Sequence, residues 1–239
     1  MNRPLRIVLI RHGLSKRNEA KKGNTYFADE YSRSNIVGIP DHKIPLADHG
    51  WLQARITGEA LVAMGQMFDY VYDSGYVRTE QTREGILEAY SPADRARMKI
   101  RHNLFIRERD SGHAYDMTEE EVAAAFPDLQ RYWQTFGGFF ARPPGGESIA
   151  DVCNRVHTFL DTLFRDRAGQ SILVITHGGT IRAFRYLLEH WDYDRAAHWA
   201  PEKPPENCSV TTYDFDRADQ RLMLTAYNQV FWKRDLVKP

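Results

Sequence analysis

Short apolar runs alternate with amphipathic helical patterns along this chain. The runs at residues 5–10 and 171–176 are mostly apolar, and each is followed directly by a basic side chain. Runs of this length and composition are typical of buried strands. Elsewhere, apolar positions recur every three or four residues, most regularly from Ile149 to Leu163. Strands that alternate with helices predict a layered α/β domain with a largely parallel sheet.

The predicted strands define the architecture that we expect. The last two bracket a polar turn, so they are interpreted as an antiparallel hairpin at the sheet edge. The expected fold is a three-layer sandwich, with a mostly parallel central sheet, an antiparallel edge and helices on both faces. The strands are predicted at residues 5–10, 69–74, 98–102, 171–176, 209–214 and 222–228.

A helix is predicted over residues 48–64, with Asp48 as its candidate N-cap. Spacing predicts that one face of this helix packs on the core. Its expected core-facing residues are Leu52, Ile56, Ala60 and Ala63.

The longest predicted helix begins after Ser148, which forms a capping pattern with Asp151. Thr118 with Glu121 gives a second capping-box pattern, for a short helix. The apolar face of the longest helix is expected to consist of Ile149, Val152, Val156, Phe159, Leu160 and Leu163. Other helices are predicted over residues 78–90, 128–135 and 179 to about 189.

The chain is expected to form a single domain over residues 1–239, with a helical, cap-like insertion at about 103–147. That insertion is the least regular part of the pattern, and it ends in a turn-rich break at 143–146. Residues 196–206 are predicted as a Pro-rich loop, and the tail from Gln229 as an irregular cover.

Charge and cysteine content narrow the classes of function. The 239 residues include 32 basic and 32 acidic side chains, so no global field favours nucleic acid or an anionic membrane surface. Cys153 and Cys208 fit neither a metal-ligand spacing nor a disulfide framework. No apolar run approaches the length of a membrane span. A cytoplasmic protein is expected, and its oligomeric state stays open.

Two histidines follow two predicted strands. His12 lies behind the first strand in Arg11-His12-Gly13, and His177 lies behind the strand at 171–176, before Gly178-Gly179. In open α/β sheets the reactive crevice lies outside the carboxyl ends of the strands. Both imidazoles are therefore expected in one crevice, where His12 could act as a nucleophile towards phosphorus.

A phosphate monoester is a dianion, so its oxygens need cations and hydrogen-bond donors. Arg11 and Arg78 are the candidate cations, because a guanidinium group suits bidentate phosphate contact. Asn18 could donate from its amide, and a protonated His177 adds a donor. Gly13, Gly178 and Gly179 could let backbone N–H groups approach the anion closely.

The leaving group needs a general acid. Glu108, which follows a predicted strand, is the candidate, and Asp110 is its rival. No cofactor or metal is expected, because the arginines and donors already neutralise the phosphate. Among the other histidines only His113 is close to Glu108 in sequence, and none has metal-ligand spacing; the rest are His42, His49, His102, His157, His190 and His198.

These features resemble the histidine phosphatase superfamily, also called the phosphoglycerate mutase-like family. The resemblance implies a phosphohistidine at His12, a phosphate pocket completed by Arg11, Arg78 and His177, and Glu108 as proton donor. It extends over almost the whole chain, in order. The matching residues are Arg11-His12-Gly13, Ser15, Asn18, Pro45-Leu46, Gly50, Gln53, Ala54, Ser74, Arg78, Gln81-Thr82, Glu108, Gly146-Glu147-Ser148, His177-Gly178-Gly179, Arg182 and Asn207-Cys208-Ser209.

Hydrolysis is favoured over mutase chemistry for this chain. The resemblance implies that cofactor-dependent mutases usually carry Asn after the His-Gly of the second motif, where this chain has Gly179. The region after Glu108 is acidic and aromatic, without a consecutive arginine pair before Pro143. The expected activity is a phosphomonoesterase acting on a small phosphorylated substrate. A phosphotransfer isomerase and a non-catalytic phospholigand-binding module stay as alternatives.

The segment between Asn18 and Pro45 is longer than the family pattern needs. One interpretation is a solvated helix end followed by a surface loop. The other is a lid that selects the substrate through an additional anionic group and aromatic contacts. Its basic and aromatic residues are Lys16, Arg17, Lys21, Lys22, Tyr26, Phe27 and Tyr31.

Overall fold

The computed structural model describes residues 3–197 and 204–233. All six predicted strands are confirmed, with bounds that differ from the predicted ones by at most two residues. They are β1 Arg6–Arg11, β2 Tyr70–Asp73, β3 Lys99–His102, β4 Ser171–Thr176, β5 Val210–Asp216 and β6 Arg221–Gln229.

The strands form a six-stranded sheet in the order β3-β2-β4-β1-β5-β6. The pairs β2–β3, β2–β4 and β1–β4 are parallel, whereas β1–β5 and β5–β6 are antiparallel. The predicted mixed sheet with an antiparallel edge is thus confirmed. Arg11 is paired with Thr176, so β1 and β4 end side by side at one edge of the sheet.

Helices lie on both faces of this sheet. The helices of the described residues are α1 Lys16–Lys21, α2 Glu30–Arg33, α3 Asp48–Ala63, α4 Val77–Leu87, α5 Pro92–Arg97, α6 Glu119–Ala125, α7 Leu129–Phe140, α8 Ile149–Asp166, α9 Gly178–Leu188 and α10 Tyr193–Ala197. Short 3-10 turns occur at Asp41–Lys43, Leu104–Ile106 and Gly112–Ala114.

Side chains of β1 alternate between the two faces of the sheet, so the core has two layers. Ile7 and Leu9 pack in a cluster with residues of α8 and α9, whereas Val8 and Ile10 pack with residues of α3 and α4. Successive side chains of a strand point to opposite faces, so a strand covered on both faces is apolar throughout. This explains why the run at 5–10 lacks a polar face.

The predicted face of α3 is wrong. Leu52 is 47% exposed, and the buried residues of this helix are Gly50, Gln53, Ala54, Thr57, Gly58 and Leu61. The reason is close packing of α3 on α4: a Cβ on Gly58 would lie 2.3 Å from the Ile86 carbonyl oxygen. Only the face with the smallest side chains allows that approach.

The N-cap predicted for α3 is also wrong. Ala47 occupies the N-cap position without a side-chain hydrogen bond, and Asp48 is the first helical residue. A carboxylate there still interacts favourably with the positive end of the helix. By contrast, the capping boxes of Ser148 with Asp151 and of Thr118 with Glu121 are confirmed.

Helix α5 was not predicted, and α7 extends beyond its predicted range. Ser91 caps α5, which has a proline in its first turn and directly follows the helix predicted over residues 78–90. The helix predicted over 128–135 continues as α7 to Phe140, with a kink at Gly137, where φ is 70°. The predicted face of α8, from Ile149 to Leu163, is fully buried.

The segment 103–147 leaves the sheet after β3 and returns at α8. It packs against the segment between Asn18 and Pro45, where Phe27 forms an isolated β-bridge with Thr118. Arg33 donates to the Asp116 carbonyl oxygen at 2.9 Å and to the Glu121 carboxylate at 2.7 Å. The division into one domain with an insertion stays a prediction.

None of the helices in the described residues has both the length and the hydropathy needed to cross a membrane. His198 and parts of the predicted loop at 196–206 and of the predicted tail lie outside the described residues.

Candidate active site

The ends of β1 and β4 bring two histidines together. The ring centroids of His12 and His177 are 5.1 Å apart, with the rings nearly edge to face. His12 is 3% exposed and His177 is fully buried. The two histidines are close because β1 and β4 are adjacent and parallel, so the residues that directly follow these strands lie next to each other.

A hydrogen bond fixes the tautomer of His12. Its Nδ1 lies 2.7 Å from the Gly13 carbonyl oxygen, which can only accept, so Nδ1 carries the proton. Nε2 of His12 then has a lone pair and accepts from Nε of Arg78 at 3.3 Å. Burial lowers the pKa of His12 well below its ordinary value, and the charges of Arg78 and Arg11 lower it further. The ring is therefore neutral, with Nε2 as the nucleophilic atom.

His177 is oriented by a chain of hydroxyl groups. The Thr79 hydroxyl donates to the Tyr76 carbonyl oxygen, so Ser74 Oγ donates to Thr79 and accepts from Nε2 of His177 at 2.8 Å. Nδ1 of His177 is buried and has no hydrogen-bond partner within the described residues. This orphaned nitrogen faces the shared crevice, 4.0 Å from Glu108 Oε2.

The protonation of His177 depends on what occupies the crevice. Burial lowers its pKa well below the ordinary value, and Arg78 is the largest charge that lowers it further. A bound dianion would act in the opposite direction and favour the imidazolium form. His177 can therefore become a donor when phosphate is present.

Arg11 and Arg78 flank His12. Arg11 donates from Nη1 to the Pro205 carbonyl oxygen at 2.7 Å, and its buried Nε has no partner in the part of the chain that is described. Burial lowers the pKa of Arg11, and Glu108 raises it. Arg78 donates from Nη1 and Nη2 to the carbonyl oxygen and carboxylate of Asp41. These two guanidinium groups form the positive side of the site.

Glu108 lies beside the histidines and Asp110 does not. Ligand atoms of Glu108, His12 and His177 are all within 4.8 Å of one another. Asp110 is exposed and accepts from the backbone N–H of Gly112. His113, the other neighbour in sequence, is exposed as well. The geometry favours Glu108 over Asp110 as the acid.

Arg155 of α8 holds the backbone around Glu108. Its guanidinium group donates to the carbonyl oxygens of Phe105, Arg107 and Glu108 at 2.7, 2.8 and 3.1 Å. It also pairs with the Glu147 carboxylate. No local sequence signal indicates this role of Arg155, because its carbonyl partners lie about 50 residues away in the chain.

Asn207 links the side chain of Asn18 to the backbone of His12. Oδ1 of Asn18 accepts from Ser15 Oγ at 2.9 Å and from Asn207 Nδ2 at 3.5 Å. Asn207 Nδ2 also donates to the His12 carbonyl oxygen at 2.9 Å. The oxygen of Asn18 is thereby engaged, which leaves its NH₂ group as the available donor.

The expectation that the Gly13 N–H approaches the anion is wrong. That group donates to Thr82 Oγ1 at 2.9 Å. Gly13 instead permits backbone packing, since a Cβ there would lie 2.5 Å from the Gly50 carbonyl oxygen. Gly178 is the first residue of α9, where a backbone N–H is available to an anion. Gly179 makes room for Glu108, whose Oε1 would lie 2.8 Å from an added Cβ.

His12, Glu108 and His177 are close enough together to share a metal ion. The charges of Arg78 and Arg11 already disfavour protonation of both histidines, and they would disfavour a metal cation in the same way. The electrostatics of the site therefore suit an anion better than a cation.

Comparison with known proteins identifies relatives of this chain. Residues 7–228 match the family model of the histidine phosphatase superfamily, branch 1. The chain is 32% identical over 209 residues to the phosphoglycerate mutase-like protein AT74 of Arabidopsis thaliana; the match covers 80% of this chain and 60% of that protein. It is 29% identical to a 2,3-bisphosphoglycerate-dependent phosphoglycerate mutase of Rhizobium etli, over 77% of this chain and 79% of that enzyme.

Solved structures share the fold at lower sequence identity. Bacillus stearothermophilus YhfR superposes with a TM-score of 0.73 at 19% identity, covering 95% of this chain and 98% of that one. A mycobacterial glucosyl-3-phosphoglycerate phosphatase in complex with inorganic phosphate gives 0.69 at 20% identity, with the same coverage of both chains. The fold, the family match and the order of the motifs agree: the chain belongs to the histidine phosphatase superfamily, branch 1.

Proposed function

We propose that this protein is a phosphomonoesterase that works through a phosphohistidine at His12. The observation that carries the proposal is the fixed tautomer of His12, whose Nε2 lone pair lies against Arg78. A neutral, buried imidazole with its nucleophilic nitrogen beside a guanidinium group is suited to attack a phosphate ester. The substrate is a small phosphorylated molecule.

In the first step, Nε2 of His12 attacks phosphorus, and the bond from phosphorus to the ester oxygen breaks. Arg11, Arg78, the Asn18 amide and protonated His177 hold the phosphoryl oxygens. Glu108 transfers its proton to the departing oxygen, which leaves as an alcohol.

In the second step, water attacks the phosphohistidine. The carboxylate of Glu108 takes one proton from the water, and the bond from phosphorus to Nε2 breaks. Inorganic phosphate leaves, and His12 and Glu108 return to their starting protonation states. The cycle consumes one water and releases one alcohol and one phosphate.

Two alternatives involve the same residues. A phosphoglycerate mutase-type isomerase would return the phosphoryl group to a different hydroxyl of the substrate, and the curated relative from Rhizobium etli has that name. Gly179, where the mutase pattern has Asn, favours hydrolysis. A non-catalytic phospholigand-binding module would retain the cations and lack turnover.

A screen of phosphate esters separates these functions. The wild type and the His12→Ala variant are incubated with aryl, sugar and glycerate phosphates, and released inorganic phosphate is measured. We expect release by the wild type and a loss of at least about 10³-fold in the variant. An isomer product that requires a bisphosphate primer, with little free phosphate, would favour the mutase. Tight phosphate binding without turnover of any ester would favour the binding module.

We also propose a cytoplasmic location. Cys153 and Cys208 are both buried and free, and they lie in different core clusters on the two sides of the sheet. Two thiols in these positions fit a reducing compartment. Fractionation of cells that express the protein tests this location, and recovery in an exported fraction would contradict it.

A further inference from the structure

The ring of Tyr76 lies against two members of the candidate active site. Its centroid is 5.0 Å from the ring centroid of His177 and 4.9 Å from the guanidinium carbon of Arg78. A third ring, that of His42, has its centroid 6.3 Å away and belongs to the segment 19–44. Tyr76 therefore lies at the wall of the crevice, although no step of the proposed mechanism uses it.

The backbone of Tyr76 is fixed by the start of α4. Tyr76 is the N-cap residue of this helix, and its carbonyl oxygen accepts from the backbone N–H groups of Thr79 and Glu80 at 2.8 and 3.0 Å. The Thr79 hydroxyl donates to the same oxygen at 2.8 Å. Gly75, with a φ of 75°, makes the turn that precedes it. The placement of Tyr76 thus depends on its backbone and its ring, and the hydroxyl is not needed for it.

The hydroxyl of the half-buried Tyr76 has no hydrogen-bond partner among residues 3–197 and 204–233. By contrast, the hydroxyls of Tyr90, Tyr115 and Tyr213 each donate to a carbonyl or carboxylate oxygen. Polar groups that are withdrawn from water normally form such bonds, because the lost contact with water is otherwise uncompensated. The phenol of Tyr76 is therefore a donor that the folded chain leaves available to a ligand.

Charged groups from both sides of the crevice act on this hydroxyl. The pKa of Tyr76 is raised to about 12, chiefly by burial and then by the charge of Asp41, while Arg78 and Arg107 oppose the rise and Glu108 adds to it. The phenol therefore keeps its proton at neutral pH and can donate. Because Glu108 is the proposed proton donor to the ester oxygen, a hydroxyl that its charge affects lies on the side where the leaving group departs.

We propose that Tyr76 is a specificity-determining residue, whose hydroxyl donates a hydrogen bond to an oxygen atom of the leaving group. This inference rests on the proposed function, because it concerns the part of the substrate that departs as an alcohol. The recognised atom is an uncharged oxygen, since the nearby carboxylate of Asp41 would repel an oxyanion at this position. Phosphate esters of alcohols that carry a further hydroxyl group offer such an atom.

The kinetic test uses two esters that differ in the hydroxyl groups of the leaving group. Glycerol 3-phosphate carries such groups, and n-propyl phosphate has the same carbon chain without them. The wild type is compared with Tyr76→Phe, which removes the hydroxyl and keeps the ring against Arg78 and His177. Tyr193→Phe is the matched control, because Tyr193 is 68% exposed and lies on α10.

We expect wild-type kcat/KM to be about fivefold higher for glycerol 3-phosphate than for n-propyl phosphate, which is the contribution of about one hydrogen bond. Tyr76→Phe should remove most of that preference, whereas Tyr193→Phe should retain it. No preference in the wild type, or the full preference in Tyr76→Phe, would overturn the inference. A loss of the same size on both esters in Tyr76→Phe would also overturn it, because it would indicate a purely structural role.

A binding measurement keeps this inference separate from the proposed function. Calorimetric titration of glycerol 3-phosphate and n-propyl phosphate into His12→Ala and into His12→Ala/Tyr76→Phe requires no turnover. Tighter binding of glycerol 3-phosphate to His12→Ala that is lost with the Tyr76 hydroxyl supports the hydrogen bond, even if the wild type hydrolyses nothing. Equal affinities of His12→Ala for the two esters, or the same preference in the double variant, would refute it.

Discussion

Asp41 accepts two hydrogen bonds from Arg78, at 2.6 Å through its carbonyl oxygen and at 3.0 Å through Oδ2. The same arginine donates to His12. A carboxylate therefore lies beside the guanidinium group that would hold the substrate phosphate. It fixes the orientation of Arg78, and its charge also opposes a dianion in the pocket.

Replacing Asp41 by Asn should tighten the binding of inorganic phosphate. The amide oxygen can still accept from Arg78, while the repulsive charge is removed. We expect the inhibition constant of phosphate to fall about fivefold, equivalent to about 1 kcal/mol. Asp219→Asn, in an exposed turn, is the control. A weaker or unchanged affinity in Asp41→Asn would mean that the charge of Asp41 does not reach the phosphate.

Glu108→Gln should impair turnover in proportion to the basicity of the leaving group. Without a proton donor, kcat for an alkyl phosphate should fall about 10²–10⁴-fold, whereas p-nitrophenyl phosphate, whose leaving group needs no proton, should lose much less. Asp110→Asn should retain activity on both esters, because Asp110 is exposed and bonded to Gly112. The opposite ranking of the two variants would assign the acid to Asp110.

The buried histidines make folding stability depend on pH. Burial holds the pKa of both His12 and His177 well below the ordinary value, so the unfolded chain binds more protons than the folded one below about pH 6.5. Their stabilising contribution is present above that pH and is lost as the pH falls towards the folded-state pKa.

Urea unfolding between pH 7 and pH 5 checks this sign. The free energy of unfolding should fall by up to about 1.4 kcal/mol per pH unit for each histidine. In the double variant His12→Gln/His177→Gln that slope should largely vanish. A stability that rises as the pH is lowered in the wild type would show that the histidines are protonated in the folded protein.

Gly179→Ala should disturb the proton donor without disturbing the phosphate pocket. The added Cβ would lie 2.8 Å from Glu108 Oε1 and 3.3 Å from Arg109 Cβ, so the carboxylate must move. We expect kcat for an alkyl phosphate to fall at least about tenfold and turnover of p-nitrophenyl phosphate to change little. Gly138→Ala is the control, because the nearest atom to its Cβ lies 4.0 Å away. Equal turnover of both esters by Gly179→Ala and the wild type would show that Glu108 tolerates the methyl group.

The sequence predicted the place of a residue in the fold where that place depends on its position along a single strand or helix. His12 and His177 each follow a buried apolar run, and parallel pairing of β1 with β4 then brings them together. The face of α8 was predictable for a similar reason, since its large apolar residues recur at the helical period. In these elements, local pattern and burial agree.

The hydrophobic pattern of the sequence did not predict the contacts that depend on small residues or on backbone groups distant in the chain. The buried face of α3 consists largely of glycine, alanine and polar residues, which periodicity of large apolar side chains does not reveal. Asp41 contacts Arg78 across 37 positions of the chain, and Asn207 reaches the His12 carbonyl oxygen across 195. Such contacts depend on how loops return over the sheet edge, which no local signal encodes.

The most direct measurement locates the phosphoryl group during turnover. The enzyme is mixed with an excess of an intact ester that it hydrolyses. The reaction is quenched in alkaline denaturant, which preserves a phosphorus–nitrogen bond, and the protein is digested for mass spectrometry. We predict that the mass of one phosphoryl group is found on the peptide that contains His12, at its imidazole. A phosphoryl group on another residue, or an unmodified His12 while phosphate is being released, would contradict the account.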